Sequence, residues 1–296
     1  MAWGSRIDHY ENFPVASVLC PPRWRAAVVA LYRFARTADD VADEGNAPPE
    51  ARLAALATLR DGLLALWHGD GRLPSGPPTL PGAWVGMWTA LDDARRRHAL
   101  PLAPLLALLE AFEQDVRWTA EGRRYRDAAE LLAYCERSAN PVGRLLLHLA
   151  GVGDTTAQRE SDAWCTALQL INLWQDVGVD LARGRCYLPD AWLRDAGLRP
   201  EAAPATWDDA RLARVVERGC RLANEHLRYG WRLPRRIGGR FGWELRLVGA
   251  GAATVLARIA AWGYRTRQRR PRLHPWDTAG LLWRAWRWQP PAVSGG

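Results

Sequence analysis

The chain has no lysine: all 40 of its basic residues are arginine, set against 32 acidic ones, for a net charge of +8 over 296 residues. The plainest reading is a compositional bias that replaced lysine throughout. Arginine's planar fork nevertheless pairs bidentately with phosphate, so an acidic or phosphorylated partner suits this surface. Cysteine is scarce too. Cys20, Cys135, Cys165, Cys186 and Cys220 are widely spaced with no CxxC pair, and the six histidines never cluster, which excludes a disulfide framework and a zinc site. Long apolar runs are missing. The most apolar late stretch, Leu247 to Leu256, is bracketed by Arg246 and Arg258, far short of the roughly 20 residues that a membrane span needs. The opening MAWGSRIDHYENF has no apolar signal core. These absences predict a soluble, cytoplasmic protein.

What is present is an ordinary globular balance, 48% hydrophobic and 24% charged, with 17 tryptophans against 4 phenylalanines and 7 tyrosines. Such a composition excludes disordered and collagenous chains. Apolar residues recur at three- and four-residue intervals almost everywhere, and no run alternates as a strand. Pro/Gly punctuation separates the helical stretches. The first is expected from Pro22 to Glu44, with Pro21-Pro22 at its start and Gly45 just past its end. Others are expected over 49–68, 86–98, 102–120, 127–151, 157–182, 207–231 and 241–268, with a short helix inside the loop Cys186 to Thr206. No internal repeat or flexible linker appears, so residues 1–296 are read as one all-α domain whose helices surround a common interior.

Two acidic stretches carry the chemistry. In LYRFARTADDVADEG, Arg36, Asp39, Asp40 and Asp43 follow Tyr32 at +4, +7, +8 and +11, on one helical face. Val28, Leu31, Ala35, Ala38 and Ala42 form the neighbouring apolar stripe. Carboxylates four apart repel, and near a helix C-terminus the macrodipole opposes each by about 0.3–1 kcal/mol, so stability alone does not favour the pattern. A hard divalent cation reverses that balance, because magnesium takes one or two carboxylates together with water and phosphate oxygens. In WCTALQLINLWQDVGVDLARGRCYLP, Gln169, Asn172, Asp176 and Asp180 likewise share a face. Two such ladders facing each other across a cavity could hold magnesium and clamp a diphosphate leaving group.

At these residues the sequence resembles the squalene/phytoene synthase family of all-α trans-isoprenoid synthases. TADDVAD resembles its first aspartate-rich motif, and NLWQDVGVD followed by GRCYLP its second. The resemblance implies magnesium ligands at Asp39, Asp43, Asn172, Asp176 and Asp180, with Asp40 in support. It also implies prenyl diphosphate contacts at Tyr32, Arg36, Gln169 and, in GYRTRQRRPRL, Arg269. HYENFPVAS, SANPVGRLLLH and WQDVGVD look like the bacterial hopanoid-pathway branch that makes hydroxysqualene. That branch implies presqualene diphosphate as substrate, ionised and quenched by water without NADPH, and handover to other hopanoid-pathway enzymes. Departures point the same way. Gln175 stands where most of the family has arginine, Tyr10 and Asn12 where relatives carry serines, and Ala252 where some carotenoid-type members have tyrosine.

Pro141 cannot donate to the carbonyl of Arg137 and should kink its helix; the freed carbonyl and Asn140 could then face a cation or a water. Glu11 and Asn12 are further candidates for holding the attacking water. The C-terminal stretch Gly280 to Trp288 mixes tryptophan with arginine. It reads either as an interfacial helix, which would make the protein peripheral at the inner membrane surface, or as a closing helix packed on the core. Arg95 to Arg97 and Arg267 to Arg272 come with no recognition motif, so nucleic acid is not expected as a partner. The competing functions are a condensing presqualene, squalene or phytoene synthase and, from another class, an inactive all-α binding protein.

Overall fold

The computed structural model describes residues 19–69, 73–76 and 82–291. Among them there are helices and no strands. In chain order the α-helices are α1 (Pro22–Asp43), α2 (Pro49–His68), α3 (Val85–His98), α4 (Ala103–Glu121), α5 (Ala128–Ser138), α6 (Asn140–Ala150) and α7 (Thr155–Gln175). They continue as α8 (Val177–Ala182), α9 (Asp190–Asp195), α10 (Asp209–Tyr229), α11 (Leu233–Ile237), α12 (Gly239–Ala261) and α13 (Thr278–Arg287).

Local chemistry sets most of these ends. α1, α2 and α6 carry proline in their first turn, where its missing N–H is not needed. Aspartates cap three others: Asp127, Asp154 and Asp208 accept from the backbone N–H three residues on, at 2.9, 2.8 and 2.8 Å. α7 is the packing centre, in contact with α5, α6, α10, α11 and α12. It buries Trp164, Leu170, Ile171 and Trp174 in a core that runs from Cys20 to Trp288.

Three long helices expected from periodicity are shorter than expected. The stretch 127–151 breaks at Ala139 (φ −127°, ψ −46°), which puts Pro141 in the first turn of α6 and removes the clash that would have kinked an unbroken helix. The stretch 157–182 breaks at Asp176 (φ −102°, ψ 11°). There the Asp176 and Asp180 N–H groups still reach the carbonyls of Asn172 and Asp176, each at 2.9 Å, so the apolar period passes through the break unmarked. The stretch 241–268 ends at Ala261, where Gly263 and Tyr264 turn the chain with φ of 62° and 59°.

The segment after that turn crosses α8 closely enough that a Cβ on Gly178 would lie 2.3 Å from the Arg267 carbonyl oxygen, so only glycine fits there. Arg267 fixes this strap by donating to the Pro204 and Trp207 carbonyls at 2.9 and 3.0 Å and pairing with Asp209. At the C-terminus each reading of Gly280 to Trp288 finds a face. Trp288 stacks on Trp231 with centroids 3.9 Å apart, and Ala285 is buried, whereas Leu282, Trp283 and Trp286 are exposed. No described helix is long and apolar enough to cross a membrane.

Candidate active site

Near the C-terminal end of α1, the first acidic motif is organised by Arg36. Its guanidinium lies 3.2 Å from Asp39, 2.8 Å from Asp40 and 2.9 Å from Glu44, all half-exposed or more open. Burial, then the charge of Asp43, pushes the Asp39 carboxyl up to about 6 even though Arg36 pulls the other way. Asp43 faces inward and takes both arms of Arg185, one of them at 2.8 Å. Burial alone would lower the Arg185 pKa, yet the Asp43 carboxylate wins and it is raised.

The second motif straddles the break between α7 and α8. Asp176 is held bidentately by Arg270 from the strap, with one hydrogen bond at 2.9 Å. Asp180 is pushed up to about 7, first by burial and then by Asp176, with Arg185 and Arg183 opposing and Asp43 adding to the rise. The carboxyl groups of the two motifs therefore feel one another across Arg185. The rows meet.

Behind Arg185 lies a cluster with no local sequence signature. Asp115 of α4 accepts from Tyr134 at 2.6 Å and from Tyr187 at 3.1 Å. Burial lifts its carboxyl to about 7, while the tyrosine hydrogen bonds and Arg185 oppose the shift. Tyr125 packs with both tyrosines, its ring centroid 5.8 Å from each. Arg185 and Tyr187 belong to GRCYLP, which the sequence offers only as the sequel of the second motif, and Asp115 of α4 has no acidic neighbour at helical spacing to mark it.

A cavity of about 330 Å³ begins one turn before each motif. Tyr32 and Ala35 of α1 and Leu168 of α7 line it near the acids, and Trp164, Phe241 and Leu245 line it farther away. A Cβ on Gly143 of α6 would lie 2.4 Å from the Ser161 hydroxyl, so this glycine brings α6 against α7 at the cavity wall. The site thus has a polar, arginine-bridged head and an apolar body whose described lining includes the aromatic rings of Tyr32, Trp164 and Phe241.

Each expected residue can now be placed. Asp39, Asp40, Asp43, Asp176, Asp180, Tyr32 and Arg36 lie at the head or its border with the cavity. Gln169 is half-buried one turn before the exposed Asn172, on the same helix as Leu168. Two expected residues sit apart from the head and the cavity wall. Arg269 is exposed, its guanidinium 4.0 Å over the Trp262 ring, and the arginine that reaches the second motif is its neighbour Arg270. The strap is not helical there, so helical spacing could not tell the two apart. Asn140 is buried, and its carbonyl oxygen accepts from the Thr166 hydroxyl at 3.0 Å, joining α6 to α7. Its neighbours Val142 and Gly143, not Asn140, line the cavity. Tyr10, Glu11 and Asn12 lie outside the described residues.

The donor set suits a hard cation: aspartate and asparagine oxygens, with burial and mutual repulsion raising Asp39 and Asp180. Among the described residues no three acidic, histidine or cysteine side chains converge as a ready metal cage. Any ion here must complete its shell with other oxygens, which is how magnesium binds phosphate substrates.

Comparison with known proteins shows the family. The family model described as squalene/phytoene synthase matches residues 8–277. A hydroxysqualene synthase of Sinorhizobium fredii is 38% identical over 217 residues, covering 72% of this chain and 68% of the relative. A phytoene synthase of Mycobacterium tuberculosis is 31% identical over 262 residues, covering 84% and 80%. The crystal structure of squalene synthase HpnC from Alicyclobacillus acidocaldarius superposes with a TM-score of 0.73 at 32% identity, covering 87% of this chain and 90% of that one.

Proposed function

The chain belongs to the squalene/phytoene synthase family and is a prenyl diphosphate-processing enzyme, and from that premise we propose that it converts presqualene diphosphate and water to hydroxysqualene and diphosphate. The observation that carries the reading is an apolar cavity lined by α1 and α7 up to one turn before each acidic motif, with Arg185 bonded to Asp43 beyond it. The cavity wall draws on residues from Cys20 to Val248, which supports reading the chain as one catalytic domain.

In this reading Asp39, Asp43, Asn172, Asp176 and Asp180, with Asp40 beside them, hold magnesium. The ion supplies charge neutralisation at the departing diphosphate. Arg36, Arg185 and Arg270 present further positive charge at the head, where a bidentate fork matches phosphate oxygens. Tyr32 and Gln169 line the border between diphosphate and hydrocarbon. The apolar walls keep bulk water from the carbocation. Aromatic faces attract a cation by about 0.5–2 kcal/mol each, a role open to Tyr32, Trp164 and Phe241.

The choice of branch is supported by the Sinorhizobium relative and by Gln175. This residue is fully buried and donates to the Pro271 carbonyl, so a neutral strap anchor stands where most of the family has a cation. The exposed Trp283 and Trp286 support contact with a membrane surface, from which a C30 substrate could be taken; replacing both by alanine should then lower binding to lipid vesicles.

The deciding experiment incubates the purified protein with presqualene diphosphate and magnesium, with and without NADPH, and identifies the product by mass spectrometry. Hydroxysqualene under both conditions is expected. Efficient consumption of farnesyl or geranylgeranyl diphosphate would favour a condensing synthase instead, and absence of any turnover would favour a binding protein.

A further inference from the structure

Among the described residues the cavity has one carboxyl group in its wall, and the reaction proposed above leaves it without a task. Glu244 sits on α12 between Phe241 and Leu245, both of which line the same space. Its Oε2 atom is buried and accepts no hydrogen bond from the described residues. The residue lies at the end remote from the acidic motifs, since Cys20, just before α1, shares the cavity wall with it. The Cys20 thiol is pushed up first by burial and then by the Glu244 charge, which puts the two within electrostatic reach. Glu244 is therefore too far from the departing diphosphate to direct water to the reacting carbons.

Distance along α1 gives the far end a meaning. Ala35, the α1 residue of the wall nearest Arg36, lies about 20 Å from Pro22 at 1.5 Å per residue. An extended isoprenoid gains about 5 Å per five-carbon unit, so a 15-carbon arm spans about 15 Å and a 20-carbon arm about 20 Å. On this scale an arm of 15 carbons laid along α1 would end short of the carboxylate, and one of 20 would run onto it. Hydrocarbon pressed against a carboxylate oxygen strips its water and offers no hydrogen bond in return, which is strongly unfavourable.

We infer that Glu244 is a specificity residue that sets the length of hydrocarbon the cavity accepts, admitting arms of 15 carbons and excluding those of 20 by the dehydration of its carboxylate rather than by bulk. The inference rests on the reading of the cavity as the prenyl site. A charge at the end of an apolar cavity discriminates sharply, because an extra apolar group alone changes binding only modestly whereas an unpaired polar group is penalised heavily.

The test measures binding of two non-ionisable thiodiphosphates, farnesyl and geranylgeranyl, by calorimetry with magnesium present. It uses wild type, Glu244→Gln and Glu244→Leu. Wild type should prefer the farnesyl compound. Glu244→Leu should shift the ratio toward the longer compound by about tenfold or more with little change for the shorter. Glu244→Gln, of nearly the same size but uncharged, should fall between them. A ratio unmoved in both variants, with farnesyl binding intact, would overturn the length-setting role alone. A shift in Glu244→Leu with none in Glu244→Gln would overturn the electrostatic account in favour of a purely steric stop. Failure of wild type to bind either compound would overturn the prenyl-site reading and this role with it.

Discussion

The two acidic motifs reach the same place by different means. The first lies on one unbroken helix, and its dominant cation, Arg36, comes from that helix at i+3 and i+4 spacing. The second lies across a helix break, and its Asp176 is held by Arg270, 94 residues later in the chain. Helical geometry arranges the Arg36 end of the first, whose Asp43 is held by Arg185 from 142 residues later; the second depends also on a strap that packs on Gly178 and is anchored by Arg267 and Gln175. Arg185 then joins them, reaching from just after the second motif to Asp43 in the first. Asp39 and Asp40 should therefore respond mainly to local changes, and Asp43 and the second motif also to changes made far from them.

The largest effect should come from removing a charge within the second motif. Asp176→Asn is expected to cut diphosphate release from presqualene diphosphate by about a thousandfold, the scale of losing a key electrostatic contact; turnover near wild type would mean that the motif is structural. A remote change should reach the same site less severely. Gly178→Ala pushes a Cβ into the strap backbone, and overpacking of this kind costs about 1–3 kcal/mol. Denaturant unfolding should record that loss together with weaker magnesium-dependent diphosphate binding. An unchanged affinity would show that the strap does not position Asp176.

Protonation gives a subtler comparison. Asp180 is raised from 3.8 to about 7, so the folded protein keeps a proton that the unfolded chain releases. Folding stability contributed by this group therefore falls as pH rises from about 4 to about 7. Without added metal, Asp180→Asn should gain stability relative to wild type across that window and hold the gain above it. A gap that does not vary with pH would contradict the burial and repulsion assigned to this carboxyl. The smallest effect is expected at Arg269, whose exposed stack on Trp262 should make Arg269→Ala kinetically silent within about twofold, while Arg270→Ala weakens substrate binding by tenfold or more. Equal effects in steady-state kinetics would erase the distinction between the neighbours.

The sequence made some of this legible and hid the rest for definite reasons. The bounds of α1 and α2 could be read because proline and glycine bracket a strong apolar period. Both motifs could be read because carboxylates spaced along one helical face have little structural excuse. The breaks at Ala139 and Asp176 could not, because backbone dihedrals change there without disturbing the apolar period. Asp115 was silent because its partners, Tyr134 and Tyr187, lie 19 and 72 residues away. Asn140 looked available to a ligand because its partner, Thr166, is supplied by the next helix. Resemblance pointed to Arg269 in the late segment, whereas its neighbour Arg270 bonds Asp176, and a non-helical strap gives no periodicity to separate the two.

Most direct of all is a double-mutant cycle on the magnesium-dependent binding of inorganic diphosphate, with Asp43→Asn from one motif and Asp176→Asn from the other, measured by titration calorimetry. If the two motifs hold one shared ligand, the double variant should lose clearly less affinity than the product of the two single losses. Losses that simply multiply would mean two independent sites and would contradict the account.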